Sequence, residues 1–285
     1  MRYADFKTKI LLLDDIQKQK INSLKHNINI VGLSGGKDST ATCILLNWLD
    51  IPFKTVTAEV WWKQGVTGEN PYHYEFLHNT LAPTLQSWGV HSDFISSQIT
   101  AYEFMTTPIA YSKSHPDRIG KLRGFPLCSK CGIQRDCKAK PCARYYRNQA
   151  EQYTVITGIA ADEKDRILTN AANNRTSILD LLNVSEFETF PLCVSQGLLS
   201  PSYQFSDRGG CWFCPNQKIQ ELELLYRVFP ELWDELMSVQ KLPNKVQEKF
   251  NRTQTLYDIE KQIKNGVQQK WFTGTLLNVK GESNE

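Results

Sequence analysis

The feature that most restricts this chain is a short apolar strand running directly into a glycine-rich loop and then a helix. Residues 27–33 (Asn-Ile-Asn-Ile-Val-Gly-Leu) have the length and β-branching of a buried strand. They stop at Ser34-Gly35-Gly36-Lys37-Asp38-Ser39. Over residues 39–50 the apolar positions Ala41, Ile44, Leu45 and Trp48 fall at i, i+3, i+4 and i+7, which is one face of a helix, and Pro52 closes the segment. In such a junction the glycines let the backbone approach an anion. The N–H groups of the loop and of the first helical turn, at the positive end of the helix dipole, then point at it. Ser34 and Ser39 add hydroxyl donors and Lys37 adds charge, while Asp38 suits a site that also handles magnesium. The spacing is not that of the Walker loop, because Gly-x4-Gly-Lys-Ser/Thr is absent.

Further strands are expected at residues 53–60, 90–95 and 152–159. Strand, helix, strand in this order predicts an α/β fold with a doubly wound parallel sheet. Residues 1–26 are polar and Lys-rich and should form a helix leading into the core. The stretch 102–142 holds Pro108, Pro116, Pro126 and Pro141 among cysteines and basic residues, and it reads as an irregular excursion stapled by a metal. Beyond Pro215 the chain turns helical. Ile219, Leu222, Leu225, Val228 and Phe229 share one face, and Val246, Phe250, Leu256, Ile259 and Ile263 suggest a long later helix. The division that results is a nucleotide-binding part over 1–205, with a Cys-rich basic insertion at about 102–147, followed by a cysteine knuckle and helical region over 206–285.

The formal net charge of +3 on 285 residues argues against wholesale wrapping of nucleic acid, although a local basic patch is compatible with it. No run approaches the roughly 18 apolar residues of a membrane span, and residues 1–7 lack an apolar signal core. A soluble, cytoplasmic protein is expected. In a reducing compartment its eight cysteines are not expected to pair as disulfides. Six fall into two groups, Cys128, Cys131, Cys137 and Cys142, then Cys211 and Cys214. That clustering points to metal or cluster binding. Four thiolates suit tetrahedral zinc or a 4Fe–4S cluster equally. Spacing alone favours the two Cys-x-x-Cys pairs, Cys128 with Cys131 and Cys211 with Cys214.

The hexapeptide resembles the PP-motif of the PP-loop ATP pyrophosphatase superfamily. Other segments resemble its phosphoadenosine-phosphosulfate-reductase-like branch from bacteria and phages. They are Ala58-Glu59-Val60, Gly68-Glu69-Asn70-Pro71 and Arg135-Asp136-Cys137-Lys138. Further on come Gly158-Ile159-Ala160-Ala161-Asp162-Glu163-Lys164-Asp165-Arg166, Gly197-Leu198-Leu199-Ser200-Pro201, and Arg208-Gly209-Gly210-Cys211-Trp212-Phe213-Cys214-Pro215. The resemblance implies an adenine-nucleotide α-hydrolase-like fold and cleavage of ATP between its α- and β-phosphates. ATP and magnesium would bind at Ser34, Gly35, Gly36, Lys37, Asp38, Ser39, Glu59, Gly158 and Arg166, with Lys37, Asp38, Asp162 and Glu163 in the chemistry. It favours Cys131, Cys137, Cys211 and Cys214 as ligands of a 4Fe–4S cluster or zinc, leaving Cys128 as the rival fourth.

Within the resemblance two activities stay open. Sulfonucleotide reductases of the phosphoadenosine phosphosulfate type attack with a cysteine near their C-terminus. Here no cysteine follows Cys214, and the loop those enzymes tend to lose is intact. The expectation is therefore an AMP- and pyrophosphate-forming enzyme that adenylates an acceptor for sulfur transfer to nucleic acid. Its partners would be tRNA or DNA and a sulfur donor such as a cysteine desulfurase. The basic residues Lys113, Arg118, Lys121, Arg123, Lys130, Arg135, Lys138, Lys140, Arg144 and Arg147, with Tyr111, Tyr145 and Tyr146 as stacking surfaces, form the expected nucleic-acid face. A nucleotide-sensing subunit without turnover is the non-enzymatic alternative.

Overall fold

A computed structural model describes residues 3–126, 131–207 and 209–266; Cys128, Lys130, Arg208 and residues 267–285 lie outside the described residues. At the centre is β1 (Ile28–Gly32), buried at three successive positions, as a strand covered on both faces requires. One of these is Asn29, whose amide is accommodated by donating to the carbonyls of Leu24 (2.7 Å) and Pro52 (2.8 Å). β1 pairs in parallel with β2 (Lys54–Glu59) on one side and β7 (Tyr153–Ile156) on the other. β5 (Ser92–Ser96) adds to β2 and β8 (Arg175–Thr176) to β7, giving a five-stranded all-parallel sheet in the order β5-β2-β1-β7-β8. This α/β sheet is compatible with a Rossmann-like nucleotide-binding fold. Strand order runs outward from β1 through β2 and β5, then resumes on the opposite side with β7. Ligands of parallel sheets sit at such a reversal, beyond the carboxyl ends of the strands.

Two N-terminal helices, α1 (Tyr3–Leu11) and α2 (Asp15–Leu24), replace the single one expected. Asp14 starts the second with a capping box, accepting from Gln17 N at 2.7 Å. α3 (Lys37–Trp48) follows the loop. After β2 come the hairpin β3 (Trp61–Lys63) and β4 (Val66–Thr67), then α4 (Pro71–Phe76), a π-helical turn at Leu77–Leu81, and α5 (Ala82–Ser87). Towards the C-terminus lie α8 (Lys164–Ala172), α9 (Ile178–Leu181), α10 (Glu186–Ser195), α11 (Ile219–Val228) and α12 (Pro230–Lys241).

Two expectations are corrected. The stretch 102–142 is irregular only in part: it also holds α6 (Ala101–Thr106), β6 (Leu122–Gly124), a π-helical turn at Gln134–Ala139, and the start of α7 (Lys140–Arg147). Protein contacts also hold it in place. β6 pairs with β9 (Lys245–Gln247), and Phe104, Met105, Phe125 and Ile133 join one apolar cluster with Trp212, Phe213, Trp233 and Phe250. Phe125 and Phe250, both buried, meet edge to face at 5.1 Å. The long late helix is the second correction, since Val246 belongs to β9 and only α13 (Leu256–Lys264) is helical. Asn251 Oδ1 accepts from the N–H groups of Thr253 (2.9 Å) and Gln254 (2.7 Å), a turn that stops any helix, and Thr255 then caps α13. No helix among the described residues is long and apolar enough to cross a membrane.

Candidate functional site

The loop leaves β1 at its carboxyl end, as the reversal of strand order requires. Gly35 takes φ +71°, and a Cβ there would fall 2.6 Å from Leu77 Cδ2 and 2.9 Å from His73 Cε1, so only glycine fits. The two serines shape the loop from within. Ser39 Oγ donates to the Gly36 carbonyl (3.0 Å) and accepts from Ser34 N (3.2 Å), while Gly36 N donates to Ser34 Oγ (3.3 Å). Behind the loop sits His73, which is 2 % exposed. Its Nε2 lies 2.9 Å from the Ser34 carbonyl and its Nδ1 2.9 Å from Ser200 Oγ. A carbonyl can only accept, so Nε2 carries the hydrogen and Nδ1 accepts from the serine. Burial lowers the pKa of His73, against the opposing pull of Glu69 and the bond to Ser34, and the ring stays neutral.

Facing the loop is the segment after β7. A Cβ on Gly158 would lie 2.6 Å from Ser39 N and 2.7 Å from the Asp38 carbonyl carbon, so Gly158 serves close backbone packing against the start of α3. Between the two segments opens a cleft of about 360 Å³. Gly32, Ser34, Gly36, Asp38 and Ser39 line one side, and Thr157, Gly158, Arg166, Asn170 and Arg175 the other. The buried Thr157 Oγ1 has no hydrogen-bond partner. Asp38 is the one carboxylate on the cleft among the described residues. Hydroxyls and two guanidinium groups around a single carboxylate can receive a phosphate chain with its magnesium ion.

Several predicted residues do not reach this cleft. Lys37 donates its ammonium to Asp38 (2.9 Å) and to Glu186 (2.8 Å) and is not among the cleft-lining residues. Burial by itself would lower its pKa, but the hydrogen bonds to Glu186 and Asp38 outweigh this and raise it. Its backbone N–H donates to Tyr203 Oη at 3.0 Å. Asp162 accepts from Glu186 N at 2.9 Å, and Glu163 accepts from Ala160 N at 3.1 Å while pairing with Arg166. Neither carboxylate lines the cleft. Glu59, at the end of β2, contacts His78 Nε2 at 2.7 Å, and that imidazole stacks on Phe94 at 4.5 Å. Asn170, Arg175, Thr157, His73 and Tyr203 were not legible from the sequence, because each is a single polar residue outside any repeating pattern.

The cysteines behave differently from one another. Cys131, Cys211 and Cys214 line a second cleft of about 290 Å³, together with Lys138. Lys138 pairs at 2.6 Å with Glu69, which is buried. Burial raises the Cys211 thiol pKa, with the Glu69 carboxylate adding to the effect. Cys137 is not on that cleft; it lies buried in the second apolar cluster with its Sγ 3.7 Å from the Ile99 carbonyl. Among the described residues no group of three His, Cys, Asp or Glu side chains is placed to hold a metal ion. The predicted quartet is therefore not assembled as drawn, and the rival ligand Cys128 lies outside the described residues.

On the expected nucleic-acid face, Tyr145 donates to Asp93 (2.5 Å) and Tyr146 stacks on Tyr153, so both are engaged in packing, whereas Tyr111 is exposed. Lys138, Lys140 and Arg135 are ion-paired with Glu69 or Asp136. No protein-family model matches the chain, and no curated protein matches it.

Proposed function

We propose that this chain is an ATP pyrophosphatase of the PP-loop kind, with a doubly wound sheet presenting the loop, that adenylates an acceptor. The observation that carries this reading is the cleft between the loop and the segment after β7, at the point where strand order reverses. Its lining suits polyphosphate: the loop glycine Gly36 lies on the cleft, and Arg166 and Arg175 supply charge. In the reaction a nucleophilic atom of the acceptor bonds to the α-phosphorus. The bond from that phosphorus to the bridging oxygen breaks, pyrophosphate departs with the electron pair, and the acceptor's proton passes to solvent. Donors aimed at the departing oxygens lower this barrier. Asp38 would hold the magnesium ion, which neutralises charge on the phosphates.

For the acceptor, nucleic acid is supported by α7. Its Arg144 and Arg147 are exposed, and Tyr146 Oη lies 3.5 Å from a Cβ built on Gly32, at the edge of the same cleft. Sulfur transfer to that acceptor rests on the family resemblance. A zinc ion or 4Fe–4S cluster at Cys131, Cys211 and Cys214 rests on the family resemblance alone, since the described side chains are not gathered around one ion; iron, zinc and sulfide analysis after anaerobic preparation tests it. The activity itself is tested by incubating the chain with ATP, magnesium and tRNA or DNA. Pyrophosphate is expected in equal amount with AMP, whether free or attached to the acceptor, and ADP with orthophosphate would refute the assignment.

A further inference from the structure

We propose that Asn170 and Arg175 form a second wall of the nucleotide site, binding oxygens of the phosphate chain on the side turned away from the loop. The inference rests on the phosphate-cradle reading and adds residues that no motif in the chain singles out. Asn170, on α8, is 7 % exposed and lines the cleft, yet its amide has no hydrogen-bond partner among the described residues. Thr157 Oγ1, on the same wall, is buried and likewise unpartnered. A hydroxyl buried without a partner is unfavourable, and the Asn170 amide opens on the same cleft, so the two point to a ligand that completes them. Arg175 contrasts with its neighbour Arg166. Arg166 is ion-paired with Glu163, whereas Arg175 has no carboxylate partner among the described residues and stays exposed on the cleft. Its position is fixed, since β8 pairs Arg175 with Val155 and the Thr157 N–H donates to the Thr176 carbonyl at 2.9 Å.

A guanidinium, an amide and a hydroxyl on one wall call for a ligand rich in acceptor oxygens. A diphosphate unit meets that demand; adenosine or another neutral ligand leaves the guanidinium unanswered.

The test uses the full chain, with inorganic pyrophosphate and MgATP titrated by calorimetry and adenosine followed by saturation-transfer NMR. Arg175→Gln, at an exposed position, and Asn170→Ser are each expected to weaken pyrophosphate and MgATP binding by about ten- to a hundredfold, the loss of a charge-assisted or buried hydrogen bond. Adenosine binding should not change. If the unsubstituted chain binds neither pyrophosphate nor MgATP, the cradle reading fails and the inference goes with it. If it binds both and the two variants match it, the inference alone is overturned. Equal weakening of adenosine by Arg175→Gln also overturns it, by placing this wall on another part of the nucleotide.

Discussion

Replacing Gly158 by alanine is the sharpest probe of how the cleft is held open. The new Cβ would sit 2.6 Å from Ser39 N, 2.7 Å from the Asp38 carbonyl carbon and 2.8 Å from Ser39 Cα. All three are backbone atoms at the start of α3, so no side chain can rotate aside. Relief requires the loop and the segment after β7 to part by roughly 1 Å before ordinary carbon contact is restored. Overpacking of this kind costs about 1–3 kcal/mol of stability. The displaced atoms belong to Asp38 and Ser39, which line the cleft, so MgATP binding should weaken as well. Urea unfolding and calorimetric titration with MgATP read the two effects. Gly210→Ala is the control, because a Cβ there meets nothing within 4 Å and should leave both unchanged. If Gly158→Ala unfolds at the original midpoint and binds MgATP as before, the close packing of these two segments does not shape the site.

Other outcomes follow from single contacts. Lys37→Ala should weaken MgATP binding less than Arg175→Gln does, by under about tenfold, because the ammonium rests on Asp38 and Glu186 and not on the cleft; calorimetry ranks the two. His73 has its pKa lowered chiefly by burial, so its contribution to stability is complete above the unfolded-state value near 6.5 and is lost as pH falls through the lower folded-state value. Unfolding midpoints should therefore drop between about pH 7.5 and pH 5, and less steeply in His73→Gln. Phe125→Ala should cost about 3–5 kcal/mol and open residues 101–126 to protease. Cys214→Ser should leave that stretch resistant, because an apolar cluster and the β6–β9 pair secure it.

The loop and the strand that feeds it were legible because local chemistry dictates both: β-branched burial before, glycine freedom within, helical periodicity after. Strand ends were placed within a few residues for the same reason. Periodicity misled at Val246 and Phe250, whose spacing matches a helix while the Asn251 side chain folds the chain into a turn. Cysteine spacing does not give the direction of each thiol: Cys131, Cys211 and Cys214 line one cleft, while Cys137 turns towards Ile99 from a π-helical segment. The second wall was invisible for a deeper reason. Asn170 and Arg175 reach the loop only because β7 pairs beside β1 across more than a hundred residues of sequence, a proximity set by parallel topology and not by any local pattern.

The proposed role of the cleft is to bind ATP and break the bond between its α- and β-phosphates. Chromatographic identification of the products formed from ATP with magnesium and nucleic acid tests this most directly. Pyrophosphate in equal amount with AMP, free or attached to the acceptor, and less of both in Gly158→Ala, are the predicted result. ADP and orthophosphate as the products would contradict it.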